Sequence, residues 1–170
     1  MNFVVIFTVV VPTLIVGLFA YCVYLTKGVE REHFFQVFNM EPKALRILIV
    51  DDSETTRRVV GTILRSRHWT ICGEAEDGRT GVQKFQKLKP DVVLLDLSMP
   101  DMTGIETAQQ MSAADPSVPL ILFTILEIEG IGDAAREAGI RTIVPKSEAW
   151  NLIPNIERIA DEANRHGAAN

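Results

Sequence analysis

The chain has 170 residues, 47% of them hydrophobic, with two cysteines, three histidines and a formal charge of −5. That length suits one ordinary domain with something attached. The acidic balance speaks against nucleic acid as a partner, Cys22 and Cys72 do not make a disulfide framework, and His33, His68 and His166 fall in no Cys/His metal pattern.

The first element is apolar. Phe3 to Leu25, FVVIFTVVVPTLIVGLFAYCVYL, holds 23 residues without a charge. As a helix it spans roughly 34 Å, against a hydrocarbon core of about 30 Å, and Pro12 and Gly17 are tolerable in a membrane helix. Only Met1 and Asn2 precede the run, where a secretory signal has a basic start, and bulky Tyr21 before Cys22 argues against a lipoprotein cleavage site. We therefore expect a transmembrane helix over 1–26, with the side carrying Lys27 and Arg31 in the cytoplasm, and a linker over 27–44. Phe34, Phe35, Val37 and Phe38 of the linker fit a short helix along the membrane surface and equally a continuation of the span. A second reading starts translation at Met40, in MEPKALRILIVDD, and gives a soluble cytoplasmic domain instead.

Past Leu45 the pattern alternates. ILIV (Ile47 to Val50) ends at Asp51, VVLL (Val92 to Leu95) at Asp96, LILF (Leu120 to Phe123) at Thr124, and TIV (Thr142 to Val144) runs into Pro145 and Lys146. Short apolar runs rich in branched residues predict strands covered on both faces, hence a parallel sheet; the mixed WTICGEA (Trp69 to Ala75) suits an edge strand. Amphipathic stretches lie between the runs: Val59, Val60, Ile63 and Leu64 after Ser53; Val82, Phe85 and Leu88; Ile105, Ala108 and Met111; Ile131, Ala134, Ala135 and Ala138; and Leu152, Ile153, Ile156 and Ile159, with Pro154 near the start of the last helix, where proline is tolerated. Five strands alternating with five helices predict an α/β fold, a doubly wound five-stranded parallel sheet of flavodoxin-like order 2-1-3-4-5, over 45–163, followed by a frayed tail over 164–170.

In such a fold, ligand groups gather beyond the carboxyl ends of the strands. Asp51, Asp52, Asp96, Thr124 and Lys146 all end strands, and their strands are neighbours in that order. Singly, each has a plain explanation: an Asp pair before a helix is commonly a cap beside a solvated neighbour, and a Lys after a strand is commonly surface. Together they put three carboxylates, a hydroxyl and one ammonium in one pocket. Three clustered carboxylates call for a cation, and a hard, oxygen-rich site with room for water suits Mg²⁺.

LIVDD, DVVLLDLSMPDMTG, ILFT and VPKS, in this order and spacing, resemble the receiver domain of two-component response regulators, over about Leu45 to Glu162. The resemblance implies that Asp96 is the phosphoacceptor, taking its phosphoryl group from a phosphohistidine of a sensor kinase or phosphotransfer protein. It implies Mg²⁺ on Asp52, on Asp51 mostly through water, on Asp96 and on the backbone carbonyl of Ser98. Lys146 would pair with the Asp96 carboxylate or the phosphoryl oxygens, Thr124 would swing in to hydrogen-bond the phosphoryl group, and Gly104 would fit the turn into the third helix. The physics agrees with these roles: phosphoryl transfer asks for positioning and charge neutralisation more than covalent help, and the added charge of roughly −1.5 to −2 can rearrange a bistable loop.

Three positions depart from the family pattern. Ile143 stands where a switch aromatic is usual, Pro145 precedes Lys146 and Ser147 follows it where many members have a proline after the lysine, and Leu126 places an apolar group near the approach of hydrolytic water, which predicts slow loss of phosphate. With only ANRHGAAN after Glu162, the expectation is a single-domain receiver that is no enzyme beyond its own phosphorylation and dephosphorylation. It would act on a downstream protein partner through the face of the fourth helix, fifth strand and fifth helix, with a homodimer on phosphorylation as a further option. Two rivals are an unphosphorylated receiver-like scaffold and an aspartate-nucleophile phosphatase; the intact five-residue set opposes the first, and Ser98, where such phosphatases carry a second Asp, opposes the second.

Overall fold

The computed structural model describes residues 44–125 and 130–167, with side chains as far as Ala163. The expected membrane span, the linker through residue 43 and Leu126 lie outside them. Among the described residues no helix is long and apolar enough to cross a membrane.

Five strands, β1 (Arg46–Val50), β2 (Thr70–Ala75), β3 (Val92–Leu95), β4 (Leu120–Thr124) and β5 (Ile140–Pro145), alternate with helices α1 (Glu54–Arg65), α2 (Gly78–Leu88), α3 (Gly104–Ala114), α4 (Gly132–Glu137) and α5 (Leu152–Gly167). The sheet order is β2-β1-β3-β4-β5 and every pairing is parallel, as the apolar runs predict. Alternate strand residues point to opposite faces, so each run divides its side chains between two cores. Leu48, Val50, Val93, Leu95, Leu120 and Leu122 pack with Val82 and Phe85 of α2, Ala108 and Met111 of α3 and Ala135 of α4. Ile47, Ile49, Val92, Leu94, Ile121 and Phe123 pack with Val60 and Leu64 of α1 and Leu152, Ile156 and Ile159 of α5. Both faces are covered, which is why β3 is apolar at every position.

The helix starts are written locally. Ser53 caps α1 by accepting from the Thr56 amide at 3.2 Å, and Asp77 caps α2 by accepting from the Thr80 amide at 2.7 Å. Thr103 and Glu106 close a capping box on α3.

The structure corrects four details. Val59 is 55% exposed rather than part of the inner stripe of α1, and Gly61 takes its place in the buried row. Ala134 of α4 faces solvent, since that short helix buries Ala135 and seats Ala138 at its C-cap. Strand β5 starts two residues earlier than the TIV run, because Ile140 pairs with Leu120. Finally, a 3₁₀ turn, Lys146–Asn151, intervenes before α5. Pro154, third in α5, sits in the first turn, where its missing N–H costs no helix bond.

Candidate functional site

Register builds the site. Val50 of β1 lies opposite Leu95 of β3, so Asp51 and Asp96, one step further, emerge side by side. The Asp96 amide donates to the Val50 carbonyl at 2.8 Å and the Asp51 amide to that of Ala75 at 3.0 Å, which carries the ladder past the ends of the strands. On the other side, Thr124 lies opposite Pro145, and Lys146 follows as the first residue of the 3₁₀ turn.

Asp51 and Asp96 are nearly sealed from solvent, at 2% and 4% exposure, and Thr124 is fully buried. The Lys146 ammonium bridges the two carboxylates, 2.7 Å from Asp51 Oδ2 and 3.1 Å from Asp96 Oδ1, and lies 6.0 Å from the centre of the Phe123 ring. Asp52, exposed, completes the cluster: one carboxylate oxygen each from Asp51, Asp52 and Asp96 lie within 4.8 Å of one another. Asp51 Oδ1 accepts from the Ser53 amide at 2.9 Å, and Asp96 Oδ2 from the Ser98 amide at 3.3 Å. Thus the predicted Asp51, Asp52, Asp96 and Lys146 converge, with Ser98 bonded to Asp96 and Thr124 closing the end of the neighbouring strand.

Burial pushes the Asp96 carboxyl above the usual carboxylate range, and the Lys146 ammonium only partly offsets this. Burial also works against the charge on Lys146, but Asp51 and Asp96 outweigh it and hold the ammonium above its ordinary value. Lys146 therefore stays charged between the Asp51 and Asp96 carboxyl groups.

The donor set fits a hard divalent cation. All three groups offer oxygen, and buried Asp96 Oδ1 meets the ammonium but accepts no well-directed hydrogen bond. An under-used buried carboxylate oxygen beside two further carboxylates is the environment in which Mg²⁺ is held by few protein ligands and several waters.

Gly104 follows from close packing. A Cβ there would lie 2.2 Å from the Asp96 carbonyl oxygen and 2.9 Å from Leu97 Cα, so the loop after Asp96 can fold back onto β3 only with glycine at the start of α3. Ile143 is half-buried against the α2–α3 core.

One participant escapes the sequence reading. The Arg57 side chain, on α1, is 13% exposed, and its Nη1 donates to the carbonyls of Asp51 at 2.6 Å and Asp52 at 3.2 Å. The available signal is its spacing: Arg57 stands three, four and seven residues before Val60, Gly61 and Leu64, so it is a charge on the buried stripe of its helix.

Comparison with known proteins settles the family. The model of the response regulator receiver domain matches residues 47–156. The chain belongs to that family. This receiver is 33% identical over 117 residues to the chemotaxis protein CheY of Listeria monocytogenes, a match covering 68% of this chain and 98% of that one. Among solved structures, the response regulator domain of Thermotoga maritima CheB is similar with a TM-score of 0.64 and 30% identity, over 72% of this chain and 98% of that one. A chain of the CheX–CheY–BeF3–Mg²⁺ complex from Borrelia burgdorferi is similar with a TM-score of 0.61 and 25% identity, over 66% and 88%. The receiver is thus related to CheY and to response regulators, and its acidic pocket accords with phosphoacceptor signalling.

Proposed function

We propose that this receiver takes a phosphoryl group onto Asp96 from a phosphohistidine of a sensor kinase or phosphotransfer protein and signals to a downstream protein. The observation that carries the reading is the buried Asp96 carboxylate, its Oδ1 3.1 Å from the Lys146 ammonium and its neighbours Asp51 and Asp52 within metal-binding reach.

Asp96 Oδ1 or Oδ2 is the nucleophile. Lys146 holds the carboxylate in place and offsets negative charge as the phosphoryl group arrives. Asp51, Asp52, Asp96 and the Ser98 carbonyl hold Mg²⁺, which when bound neutralises charge on the phosphoryl oxygens. Thr124 supplies the hydroxyl that hydrogen-bonds the new phosphoryl group, and its move toward the site begins the switch. With Ile143 in place of an aromatic, the switch runs through an aliphatic side chain packed on the α2–α3 core.

The test is covalent labelling. Acetyl phosphate or phosphoramidate with Mg²⁺ should add one phosphoryl group to the wild type and none to Asp96→Ala, read by intact mass. Labelling that survives Asp96→Ala would overturn the assignment, and repeated turnover of a small phosphate ester would favour a phosphatase.

Residues 3–25 anchor this receiver to the cytoplasmic membrane with the signalling domain on the cytoplasmic side, a reading supported by 23 residues without a charge. Fractionation of the native host should place an 18.9 kDa species with the membranes. A soluble species beginning at Met40 would overturn the anchor and leave the pocket chemistry untouched.

A further inference from the structure

We propose that Arg57 is a positioning residue for Mg²⁺ binding, which braces the loop that carries Asp51 and Asp52; this rests on reading Asp51, Asp52 and Asp96 as the magnesium site. The two aspartates follow the last residue of β1, where the strand no longer dictates the peptide planes. The direction of each Cα–Cβ bond depends on those planes, so holding the carbonyls narrows where the carboxylates can point. Arg57 reaches both: one nitrogen with two hydrogens donates to the Asp51 carbonyl at 2.6 Å and to the Asp52 carbonyl at 3.2 Å.

The brace is itself held. Arg57 Nε lies 3.6 Å from Glu74 Oε2 on the edge strand β2. Glu74 Oε1 lies 3.7 Å from Arg65 Nη2, about two turns further along α1, and the Glu74 backbone carbonyl accepts from the Lys84 ammonium of α2. A guanidinium with only 13% of its side chain exposed is costly unless its donors and charge are matched. Here Nη1 donates to the two carbonyls and the charge faces Glu74. The pairing has a second effect: Glu74, shared with Arg65, offsets part of the positive charge that Arg57 brings behind the loop and so weakens its repulsion of an incoming dication. Groups that orient metal ligands from behind commonly change metal affinity by about 10- to 100-fold when removed.

The experiment is titration calorimetry of the full-length chain with MgCl₂, on wild type, Arg57→Gln, Arg57→Lys and Glu74→Gln, with circular dichroism and thermal melting in EDTA alongside. Arg57→Gln should raise the Mg²⁺ dissociation constant by about ten-fold or more, and Arg57→Lys, which keeps the charge but has no Nε for Glu74, by less. Glu74→Gln should shift it in the same direction. A role confined to fold stability would lower the melting temperature and leave the dissociation constant of the folded protein alone. A folded Arg57→Gln that binds Mg²⁺ within about two-fold of wild type, or the same result for Arg57→Lys should the glutamine variant not fold, overturns the proposal. A wild type that takes up no Mg²⁺ overturns instead the site reading beneath it.

Discussion

At the scale of single residues, Lys146 and Asp96 show a site arranged for a charge that has yet to arrive. The ammonium sits between Asp51 and Asp96, and Asp96 is still left with its carboxyl above the ordinary range because burial outweighs that attraction. A carboxyl raised in the folded state binds its proton more tightly there than in the unfolded chain. Stability therefore falls as pH rises from the unfolded value through the folded one, and above both the ionised group costs stability. Asp96→Asn removes that cost. Without metal at neutral pH the variant should melt a few degrees above wild type, and added Mg²⁺ should raise the wild-type melting temperature more than the variant's. An Asp96→Asn melting point below wild type in EDTA would mean that the pairing with Lys146 outweighs the cost of burial.

At the scale of elements, α3 carries the loop that follows Asp96, and its start is held by the Thr103–Glu106 capping box. The Thr103 amide and hydroxyl donate to Glu106 Oε2 at 2.8 and 2.9 Å, and they hold the Glu106 carboxyl below its usual range. The sign is opposite to that of Asp96. The contribution is fully present above the unfolded glutamate value of about 4.3 and is lost as pH falls through the lower folded value. Thr103→Ala should cost about 1 kcal/mol of stability at neutral pH, and the gap between the two melting curves should narrow below about pH 4 as Glu106 takes its proton. A gap that stays constant with pH would remove the Glu106 half of the box from the account. On the same loop, Asp101 accepts from the Gly78 and Arg79 amides at 3.0 Å each, which ties the segment after Asp96 to the start of α2 as well.

At the scale of the molecule, the described residues, which begin at residue 44, already hold a five-stranded sheet, a core on each of its faces and the acidic cluster. A chain beginning at Met40 should therefore fold by itself, melt in one transition and accept one phosphoryl group from acetyl phosphate with Mg²⁺. Failure of that fragment to fold would give the first 39 residues a part in the receiver's stability.

Much of this was legible without coordinates, for physical reasons that differ by residue. Asp51, Asp96, Thr124 and Lys146 could be placed because each ends an apolar run, and a parallel sheet buried on both faces has only one edge at which polar strand ends can collect. The alternation of short runs and amphipathic stretches gave the doubly wound class, and the flavodoxin-like order expected for it is the order found. What the chain could not disclose by itself were the choices made by packing between elements. Val59 and Gly61 exchange places on α1 because the row that faces the sheet is set by how the helix lies on it, not by which residue is more apolar. The turn at Lys146–Asn151 is fixed by where α5 must start to cover Leu94 and Phe123. Arg57 belongs to the site because the first turn of α1 lies against the loop that precedes it and sets a guanidinium beneath two carbonyls five and six residues earlier, a choice of rotamer that the sequence does not announce. Local sequence determined the strands and the chemistry at their ends; the tertiary structure alone decided what stands behind that chemistry, because such contacts depend on the angle and depth at which whole elements pack.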